Sequence, residues 1–424
     1  MRILYIANSP PAPTNYGGAQ RTNLLHRALR EIGEVDLVIV SEHVPTNREE
    51  LKRDYNLIAD FQWKKAGDSL PFRWFLPLNE RLVHKIAHTL IPRFFDYEAD
   101  PLIAGEMEQL IASREYDLVV GRYLRPTLKS GATRYLATTV LDVDDLDTQV
   151  FLSRLNVPGR PLWEKLINRW HHWQIKHLIA KRLSAFDLLF ISNQDEETAS
   201  EELKGLSNIV HLPNIPYLEQ NDSSSLLTMT QAEERKSPAI LFVGNFWHLP
   251  NLHGLEYFMR EVWPKVCGAE PNALLRVVGS GFSEDLRKKW SHVPNLEIVG
   301  SVPDLRASYE NCCFSIVPLL SGAGTNIKVV ESLRHLRTSV VTRFAHRGYS
   351  EVLEDDEAML VADNSEEMAD ACIRLIRDPA LRKRLAERGQ ELVLKHYTYK
   401  QFRDTVVKSI NTLMQQKISR MRNP

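Results

Sequence analysis

The chain has 424 residues, which exceeds one ordinary domain and predicts two. Its 53 lysine and arginine residues nearly balance 54 aspartate and glutamate residues, so the net charge of −1 argues against a nucleic-acid-binding protein with a broadly basic surface. The four cysteines form no C-x-x-C pair, which predicts reduced thiols in the cytoplasm. Because no run of about 18 apolar residues occurs, we expect no membrane-spanning helix.

The first half alternates short apolar runs with helix-like runs. An apolar run over 3–7 precedes a stretch over 19–33 whose leucines and alanines have helical spacing. Further apolar runs follow at 35–40, 118–120, 139–143 and 188–191. Short apolar strands without two-residue alternation, separated by helices, predict an α/β domain with a parallel sheet covered on both faces. We assign this domain to residues 1–215.

The same alternation restarts after a break. Residues 216–238 are polar and charged, which predicts a linker. Predicted strands then follow at 239–243, 274–278, 296–299, 314–317 and 339–342. They indicate a second α/β domain over 239–397. We expect the basic, amphipathic tail from about 398 to 424 to pack back on the first domain.

Glycines lie where the first predicted strand ends. The pair Gly17 and Gly18 comes just before a helix. Glycine lets the backbone approach a ligand closely, and a helix start offers N–H groups to an anion. A plain loop that needs a positive φ is the alternative. Because this loop lacks the G-x-G-x-x-G pattern, a dinucleotide-dependent dehydrogenase is disfavoured.

The segment Ser321–Glu331 has the densest set of ligand-binding features. Its glycines, Gly322 and Gly324, follow a strand and precede a helix, which again forms an anion site. Lys328 and Glu331 are three residues apart and share a helix face. The lysine can neutralise a phosphate, and the carboxylate can accept hydrogen bonds from paired sugar hydroxyls. A surface ion pair is the alternative.

Two more strands end in glycine. Gly244 and Asn245 follow the strand at 239–243, and Gly279 follows the strand at 274–278. Open α/β sheets bind ligands at the carboxyl ends of their strands. We therefore expect these loops to contribute to the same site.

These segments resemble the donor domain of family-4 glycosyltransferases. The matching motifs are FVGNFWHLPN, VVGSGF, VGSVPDL, PLLSGAGTNIKVVESL and TSVVTRFAHRG, in the family's order over about 240–350. The first half matches more weakly, through GGAQR and LPNIP, and residues 45–115 are not covered. The resemblance implies the GT-B fold, in which two Rossmann-like domains face each other across an interdomain cleft.

The resemblance also implies an activity. Such enzymes transfer a sugar, with retention and without a metal or cofactor, from a nucleotide-sugar donor such as a UDP- or GDP-sugar. The acceptor would be a glycan or a lipid-linked molecule in polysaccharide or glycoconjugate biosynthesis. Lys328 would stabilise the leaving diphosphate, and Glu331, the second glutamate of the E-x7-E motif, would hold the ribose. The remaining donor-binding residues would be Gly17, Gly18, Gly244, Asn245, Gly279, Gly322, Gly324, Thr325 and Asn326.

Two positions depart from the family pattern. The first glutamate of E-x7-E is Ala323 here, so the donor sugar stays open. Asn245 and His248 stand where many relatives carry an arginine and a lysine, which makes Lys328 the main cation.

Four acids lie at the end of the strand at 139–143, namely Asp142, Asp144, Asp145 and Asp147. Many relatives have a histidine at the Asp144 position, close to the reacting sugar. We assign the catalytic role to Asp144, which would accept the acceptor's proton or orient the sugar. Exposed acids that cap a helix, or a divalent-ion site, are the alternatives.

Basic residues of the first half have two interpretations each. Arg122 and Arg125 either meet an anionic acceptor or lie in a solvated loop. The segments 67–99 and 163–182 are aromatic and basic, which is explained by packing or by a peripheral contact with the inner face of a membrane.

Two other functions share this fold. A nucleotide-sugar 2-epimerase would use buried acids and a histidine to eliminate the nucleotide. A catalytically inactive scaffold or partner subunit is favoured by Ala323 and Asn245 and opposed by Gly18, Lys328 and Glu331.

Overall fold

The computed structural model describes residues 1–14, 16–43, 45–63, 96–134, 138–155, 161–195, 200–217, 238–322 and 324–422. The chain divides into two compact units, Met1–Leu212 with Phe402–Pro424, and Pro213–Gln401. The sequence placed these boundaries at 215 and about 398. Ala323, residues 218–237 of the predicted linker and most of the segment 67–99 lie outside the described residues.

The first unit contains a seven-stranded sheet whose neighbouring strands are all parallel. Its strands are β1 (Arg2–Ala7), β2 (Glu34–Ser41), β3 (Leu57–Gln62), β4 (Leu118–Arg122), β5 (Thr139–Asp144), β6 (Leu188–Ile191) and β7 (Ile209–His211). Their order is β3-β2-β1-β4-β5-β6-β7. The order reverses between β1 and β4, which is the topological switch point of a doubly wound sheet.

Helices cover both faces of this sheet. They span Gly17–Arg30, Arg48–Tyr55, Pro101–Ala112, Leu124–Ser130, Asp147–Leu155 and Leu162–Leu183, with a 3₁₀ turn at Ala132–Arg134. Leu4 and Ile6 of β1 pack in one cluster with Met107, while Tyr5 points to the other face, where its hydroxyl donates to the carbonyl oxygen of Thr22. Burial of consecutive β1 residues explains why the strand is continuously apolar.

The C-terminal helix Tyr399–Arg422 joins the first unit from Phe402 onward. Phe402, Val406 and Ile410 are buried, and their spacing of four residues forms one apolar stripe. Lys417 Nζ donates to Asp187 Oδ2 at 2.7 Å. The apolar stripe and this ion pair hold the tail on the unit.

The second unit repeats the architecture with a six-stranded parallel sheet. Its strands are β8 (Ala239–Val243), β9 (Leu274–Val278), β10 (Leu296–Gly300), β11 (Phe314–Val317), β12 (Ser339–Thr342) and β13 (Leu360–Ala362). Their order is β10-β9-β8-β11-β12-β13, so the switch point lies between β8 and β11.

Its helices include one long element that changes its winding. The helix Leu249–Tyr257 passes through a π-helical segment, Phe258–Val262, into Trp263–Ala269. The other helices are Glu284–Trp290, Arg306–Glu310, Ile327–Arg334, Arg343–His346, Ser365–Arg377 and Pro379–His396. None of the helices described in the structure is long and apolar enough to cross a membrane.

The predicted α/β fold with two parallel, Rossmann-like sheets is confirmed. The sequence missed β3, β7 and β13, which all lie at sheet edges. Residues of β7 and most residues of β3 are only half-buried. An edge strand packs fewer neighbours, so its sequence lacks the apolar run that marks a central strand.

Candidate functional site

The switch point of the second sheet brings the predicted donor loops together. Gly244 follows β8 directly, and the loop Ser321–Asn326 follows β11 and leads into the helix Ile327–Arg334. Gly322 and Gly324 have φ values of +134° and +62°, which side chains rarely allow. The carboxyl ends of the two strands thus present a glycine loop and a helix start at the position where α/β sheets bind ligands.

The start of this helix is not capped by its own side chain. Asn326 precedes the helix but makes no capping hydrogen bond, and its Nδ2 donates to the carbonyl oxygen of Ala345 at 3.3 Å. The Val329 N–H donates to the Asn326 carbonyl oxygen at 2.9 Å, and the positive end of the helix dipole favours an anion beside the first turn.

Lys328 provides a cation at this helix start. Its Nζ donates to Asn251 Oδ1 at 2.6 Å and lies 5.3 Å from the centre of the Phe242 ring. Burial lowers the pKa of Lys328 to about 8, although the nearby Glu331 acts in the opposite direction. A phosphate bound beside Lys328 would raise the pKa of this lysine again and keep its ammonium group charged.

Asn251 links Lys328 to the loop after β8. Its Nδ2 donates to the carbonyl oxygen of Asn245 at 2.8 Å, and Asn245 Oδ1 accepts from the Trp247 backbone N–H at 3.1 Å. The sequence had not assigned Asn251 to the site. It lies near the start of the next helix in the HLPN motif, and that place was the available signal.

Glu331 lies one turn after Lys328. Tyr309 donates its hydroxyl proton to Glu331 Oε2 at 3.0 Å, and the Tyr309 ring stacks on His335 at 4.7 Å. Burial raises the pKa of Glu331, against the opposing effects of Tyr309 and Lys328. Tyr309 fixes one carboxylate oxygen, a role that no sequence motif had indicated.

Gly279 is required by a close approach of two strand ends. A Cβ at Gly279 would lie 1.7 Å from the carbonyl oxygen of Gly244, and its φ is +143°. The backbone N–H of Gly244 in turn donates to the carbonyl oxygen of Val278 at 3.0 Å. Gly279 therefore shapes the loop through its backbone.

Thr325 has partners within its own unit. Asn214 Nδ2 donates to Thr325 Oγ1 at 3.0 Å, and the Tyr349 hydroxyl lies 3.3 Å from the same oxygen and 3.2 Å from the Asn214 carbonyl oxygen. The LPNIP and HRGY segments thereby brace the glycine loop. The sequence had not connected LPNIP with the other two segments, because Asn214 lies 111 residues from Thr325 and 135 residues from Tyr349.

In the first unit, Gly17 and Gly18 begin the helix Gly17–Arg30. Neither glycine is among the described residues with positive φ, so a loop that needs a positive φ does not explain the glycines here. A Cβ at Gly18 would lie 3.0 Å from Tyr16 Cε2 and 3.3 Å from Ser9 Oγ. Crowding against these neighbours therefore favours glycine at this helix start.

The acids after β5 are neither exposed nor gathered around a cation site. Asp142 is fully buried and accepts from Arg21 Nη2 at 2.6 Å, and Asp144 accepts from Arg122 Nη2 at 2.9 Å and from the Tyr123 hydroxyl at 3.0 Å. Among the described residues, no three His, Cys, Asp or Glu side chains come together as a metal site. Asp142 and Asp144 instead form a buried network with Arg21 and Arg122.

Arg122 and Arg125 also differ from the solvated-loop interpretation. Arg122 is fully buried, and its guanidinium packs over the Tyr123 ring at 4.5 Å. Arg125 Nη2 donates to Asp147 Oδ2 at 3.1 Å, beside the Tyr97 hydroxyl, which donates to the same oxygen at 2.5 Å. Both arginines are held by acids of this segment.

Two residues of this region have strained backbones. Tyr123 and Asp144, at the ends of β4 and β5, have φ values of +63° and +52°. Such conformations cost about 1–3 kcal/mol each and concentrate at functional sites. The Tyr123–Asp144 hydrogen bond joins the two strained positions.

A cavity of about 590 Å³ opens beside this network at the carboxyl ends of β1, β2, β4 and β5. Its lining includes Tyr16, His43, Trp63, Arg125, Asp145 and Asp147. Asp144 is not among the described residues that line it. Asp145 is therefore the better-placed carboxylate for a ligand in this cavity.

A family model matches part of the second unit. Residues 237–378 match the family described as glycosyl transferases group 1. This range lies within the second unit and contains the donor-side residues from Gly244 to Glu331. An uncharacterized 44.6 kDa protein in the cps region of Klebsiella pneumoniae is 24% identical over 313 residues, which cover 72% of this chain and 76% of that protein.

Solved glycosyltransferases share the fold of the whole chain. A glycosyltransferase from Rickettsia africae has a TM-score of 0.65 at 13% identity and covers 98% of both chains. HepE from Anabaena, solved with UDP and glucose, has a TM-score of 0.64 at 13% identity over 97% of this chain and 100% of its own. Sucrose-phosphate synthase from Thermosynechococcus elongatus has a TM-score of 0.61 at 14% identity over 99% of both. With the group 1 domain, these structures support a glycosyltransferase enzyme with a GT-B fold, as predicted.

Proposed function

We propose that this enzyme moves a sugar from a nucleoside-diphosphate sugar to a hydroxyl of a glycan or lipid-linked acceptor. The observation that carries the proposal is the grouping of Lys328, Glu331 and the start of the helix Ile327–Arg334 at the second switch point. This grouping supplies a cation and backbone N–H groups for a diphosphate and an oriented carboxylate for ribose hydroxyls.

The proposed sugar transfer requires stabilisation of the leaving nucleoside diphosphate. As the glycosidic bond breaks, negative charge grows on the diphosphate oxygen that departs. The helix dipole and the Lys328 ammonium are fixed in advance, so they stabilise that charge without reorganisation. This arrangement supports transfer without a metal ion, because protein groups provide the compensating charge.

The relatives support the choice of donor and pathway. HepE was solved with UDP, and also with UDP-glucose, which favours a uridine nucleotide here. The Klebsiella relative lies in a cps region, which favours a role in polysaccharide or glycoconjugate biosynthesis. We include the family-4 assignment and retention of anomeric configuration in the proposal on the strength of the sequence motifs.

We propose that the cavity of the first unit receives the acceptor. Tyr16 offers an aromatic face, and Asp145 and Asp147 offer carboxylates to hydroxyl groups. Asp145 lines this cavity and is only partly buried, so it is the carboxylate we assign to the acceptor hydroxyl.

A nucleotide-sugar panel tests the donor assignment. UDP, GDP and their sugars should raise the melting temperature unequally, and the true donor should release its nucleoside diphosphate only when an acceptor is present. Proton NMR of the product reports whether the anomeric configuration is retained. A change of the sugar without an acceptor would indicate an epimerase, and no shift with any nucleotide would exclude this donor site.

Gly244→Ala should weaken nucleoside-diphosphate binding about fivefold, which is roughly 1 kcal/mol. Its Cβ would lie 3.2 Å from Asn251 Cγ, so Asn251 must shift and carry its contact with Lys328 along. Gly268→Ala is the control, since its Cβ meets no atom within 4 Å in an exposed helix position. Calorimetric titration should show normal affinity for Gly268→Ala, and equal affinities of the two variants would contradict the Asn251 link.

A further inference from the structure

The helix Leu162–Leu183 has two different faces. Its buried face consists of Asn168, His171, Ile175, Ile179 and Leu183, and packs on the first unit. The opposite face carries large apolar side chains at spacings of four, four and three residues: Leu162 (80% exposed), Leu166 (66%), Trp170 (49%) and Trp173 (62%). We call these four residues the exposed stripe.

The exposed stripe is unusual for a surface in water. The rings of Trp170 and Trp173 stack with centroids 5.2 Å apart and an angle of 20°, so they form one continuous apolar surface. Single exposed apolar residues are ordinary, but a contiguous patch on one helix marks a contact surface. Trp163, at 50% exposure, extends the patch at the start of the helix.

Positive charge accompanies the exposed stripe. The helix has five lysine and arginine residues and one glutamate, within a chain whose net charge is −1. Lys176 pairs with Glu201, and Arg182 with Glu98. Lys165, Arg169 and Lys181 make no ion pair with any residue that the structure describes.

We propose that the exposed stripe docks on an anionic phospholipid surface. Tryptophan favours the headgroup region, because its ring is amphipathic, and leucine can enter the acyl boundary beneath it. Basic side chains beside the stripe would meet lipid phosphates, each contributing about 1 kcal/mol. The basic side chains of this helix complement an anionic surface, which favours a phospholipid headgroup region as the occupant.

The position of the helix gives this contact a consequence. Ile179 and Leu183, on the buried face, line the cavity of the first unit. A membrane under the exposed stripe would therefore lie about one helix diameter, roughly 10 Å, from that wall of the cavity. Among the proposed acceptors, a nearby membrane favours a lipid-linked one. This choice of acceptor rests on the proposed function, and the docking itself does not.

Vesicle flotation of the full chain tests the docking. We expect binding to phosphatidylcholine vesicles that contain phosphatidylglycerol, weaker binding to phosphatidylcholine alone, and loss of binding as salt is raised. The variant Leu166→Ser/Trp170→Ser/Trp173→Ser should lose at least about tenfold in partitioning. Trp247→Ser is the matched control, because Trp247 is 76% exposed but belongs to the second unit, and it should bind normally.

Other outcomes would overturn the proposal. These are a wild-type chain that does not float, or a triple variant that floats as well as the wild type. If sedimentation shows a wild-type dimer and a monomeric triple variant, and neither binds vesicles, the stripe contacts a second copy of the chain instead. The variant Arg169→Glu/Lys181→Glu keeps the exposed stripe and should lose only the preference for phosphatidylglycerol. It tests the docking surface independently if the triple variant fails to fold. Nucleotide-induced shifts in melting temperature, measured without vesicles, keep this test separate from the donor assignment.

Discussion

Lys328→Ala should weaken binding of UDP and of the donor together, by about 10- to 100-fold at neutral pH. The lysine is the cation at the start of the helix Ile327–Arg334, and a hydrogen bond to a charged group contributes about 1.5–3 kcal/mol. Uridine, which lacks phosphates, should lose little affinity. Titration calorimetry with UDP and uridine measures the difference.

The same lysine predicts a pH dependence. Burial lowers the pKa of Lys328 to about 8, so its ammonium loses a proton above that pH and attraction to the diphosphate falls. UDP affinity should therefore decline by up to about tenfold per pH unit above 8, until the raised pKa of the bound state is passed. In Lys328→Ala this decline should vanish.

For the free enzyme the sign of the stability effect is opposite. Between pH 8 and the ordinary lysine pKa, the unfolded chain holds a proton on Lys328 that the folded chain has lost. Because the unfolded state binds more protons, this lysine makes unfolding harder as pH rises through that window. Lys328→Met should remove the contribution, which thermal unfolding without nucleotide can measure.

Lys289→Ala is the matched control for these experiments. Lys289 belongs to the second unit, is largely exposed and pairs with Glu256 at 2.6 Å. Its removal should leave UDP affinity and its pH profile unchanged. If Lys328→Ala bound UDP as tightly as Lys289→Ala, Lys328 would have no place in the donor site.

The donor loops could be predicted because each signal is local. Glycines, strand ends and helix starts lie within a few residues of one another, as in Ser321–Glu331, and a parallel sheet brings such strand ends to one edge. The supporting contacts could not be predicted in the same way. Tyr309 reaches Glu331 across 22 residues, and Asn214 reaches Thr325 across 111.

The first unit shows the same limit more strongly. Its acids were visible in the sequence, but the pairing of Arg21 with Asp142 spans 121 residues. A cluster of aspartates suggests exposure, a metal or catalysis equally well until the cations beside it are known. Here Arg122 holds Asp144 in a buried ion pair, whereas Asp145 lines the cavity.

Asp144→Asn and Asp145→Asn should therefore have different effects. Asp144 is buried against Arg122 and Tyr123, and removing its charge leaves Asp142, at 3.7 Å, as the ion-pair partner of Arg122 among the described residues. Breaking a buried ion pair costs about 3 kcal/mol, which lowers the melting temperature by roughly 6–12 °C in a unit of this size. Asparagine tolerates the positive φ of this position, so the loss of charge is isolated from backbone strain.

Asp145→Asn should instead lower turnover by about 100-fold and leave the melting temperature almost unchanged. Asp145 lines the cavity and is only partly buried, so its carboxylate can meet an acceptor hydroxyl. UDP affinity should stay normal in both variants, because neither residue belongs to the second unit, where we propose the diphosphate site.

A double-mutant cycle separates the two roles of this acid cluster. If Asp144 acts through Arg122, then Arg122→Met/Asp144→Asn should unfold at a higher temperature than the sum of the single losses predicts. A catalytic Asp144 would behave differently: Asp144→Asn would lose turnover even when it is measured well below the melting temperature of the variant, and Asp145→Asn would stay active. Because the buried ion pair of Asp144 is lost in either role, turnover of the two folded single variants, and not their thermal unfolding, decides which carboxylate is catalytic.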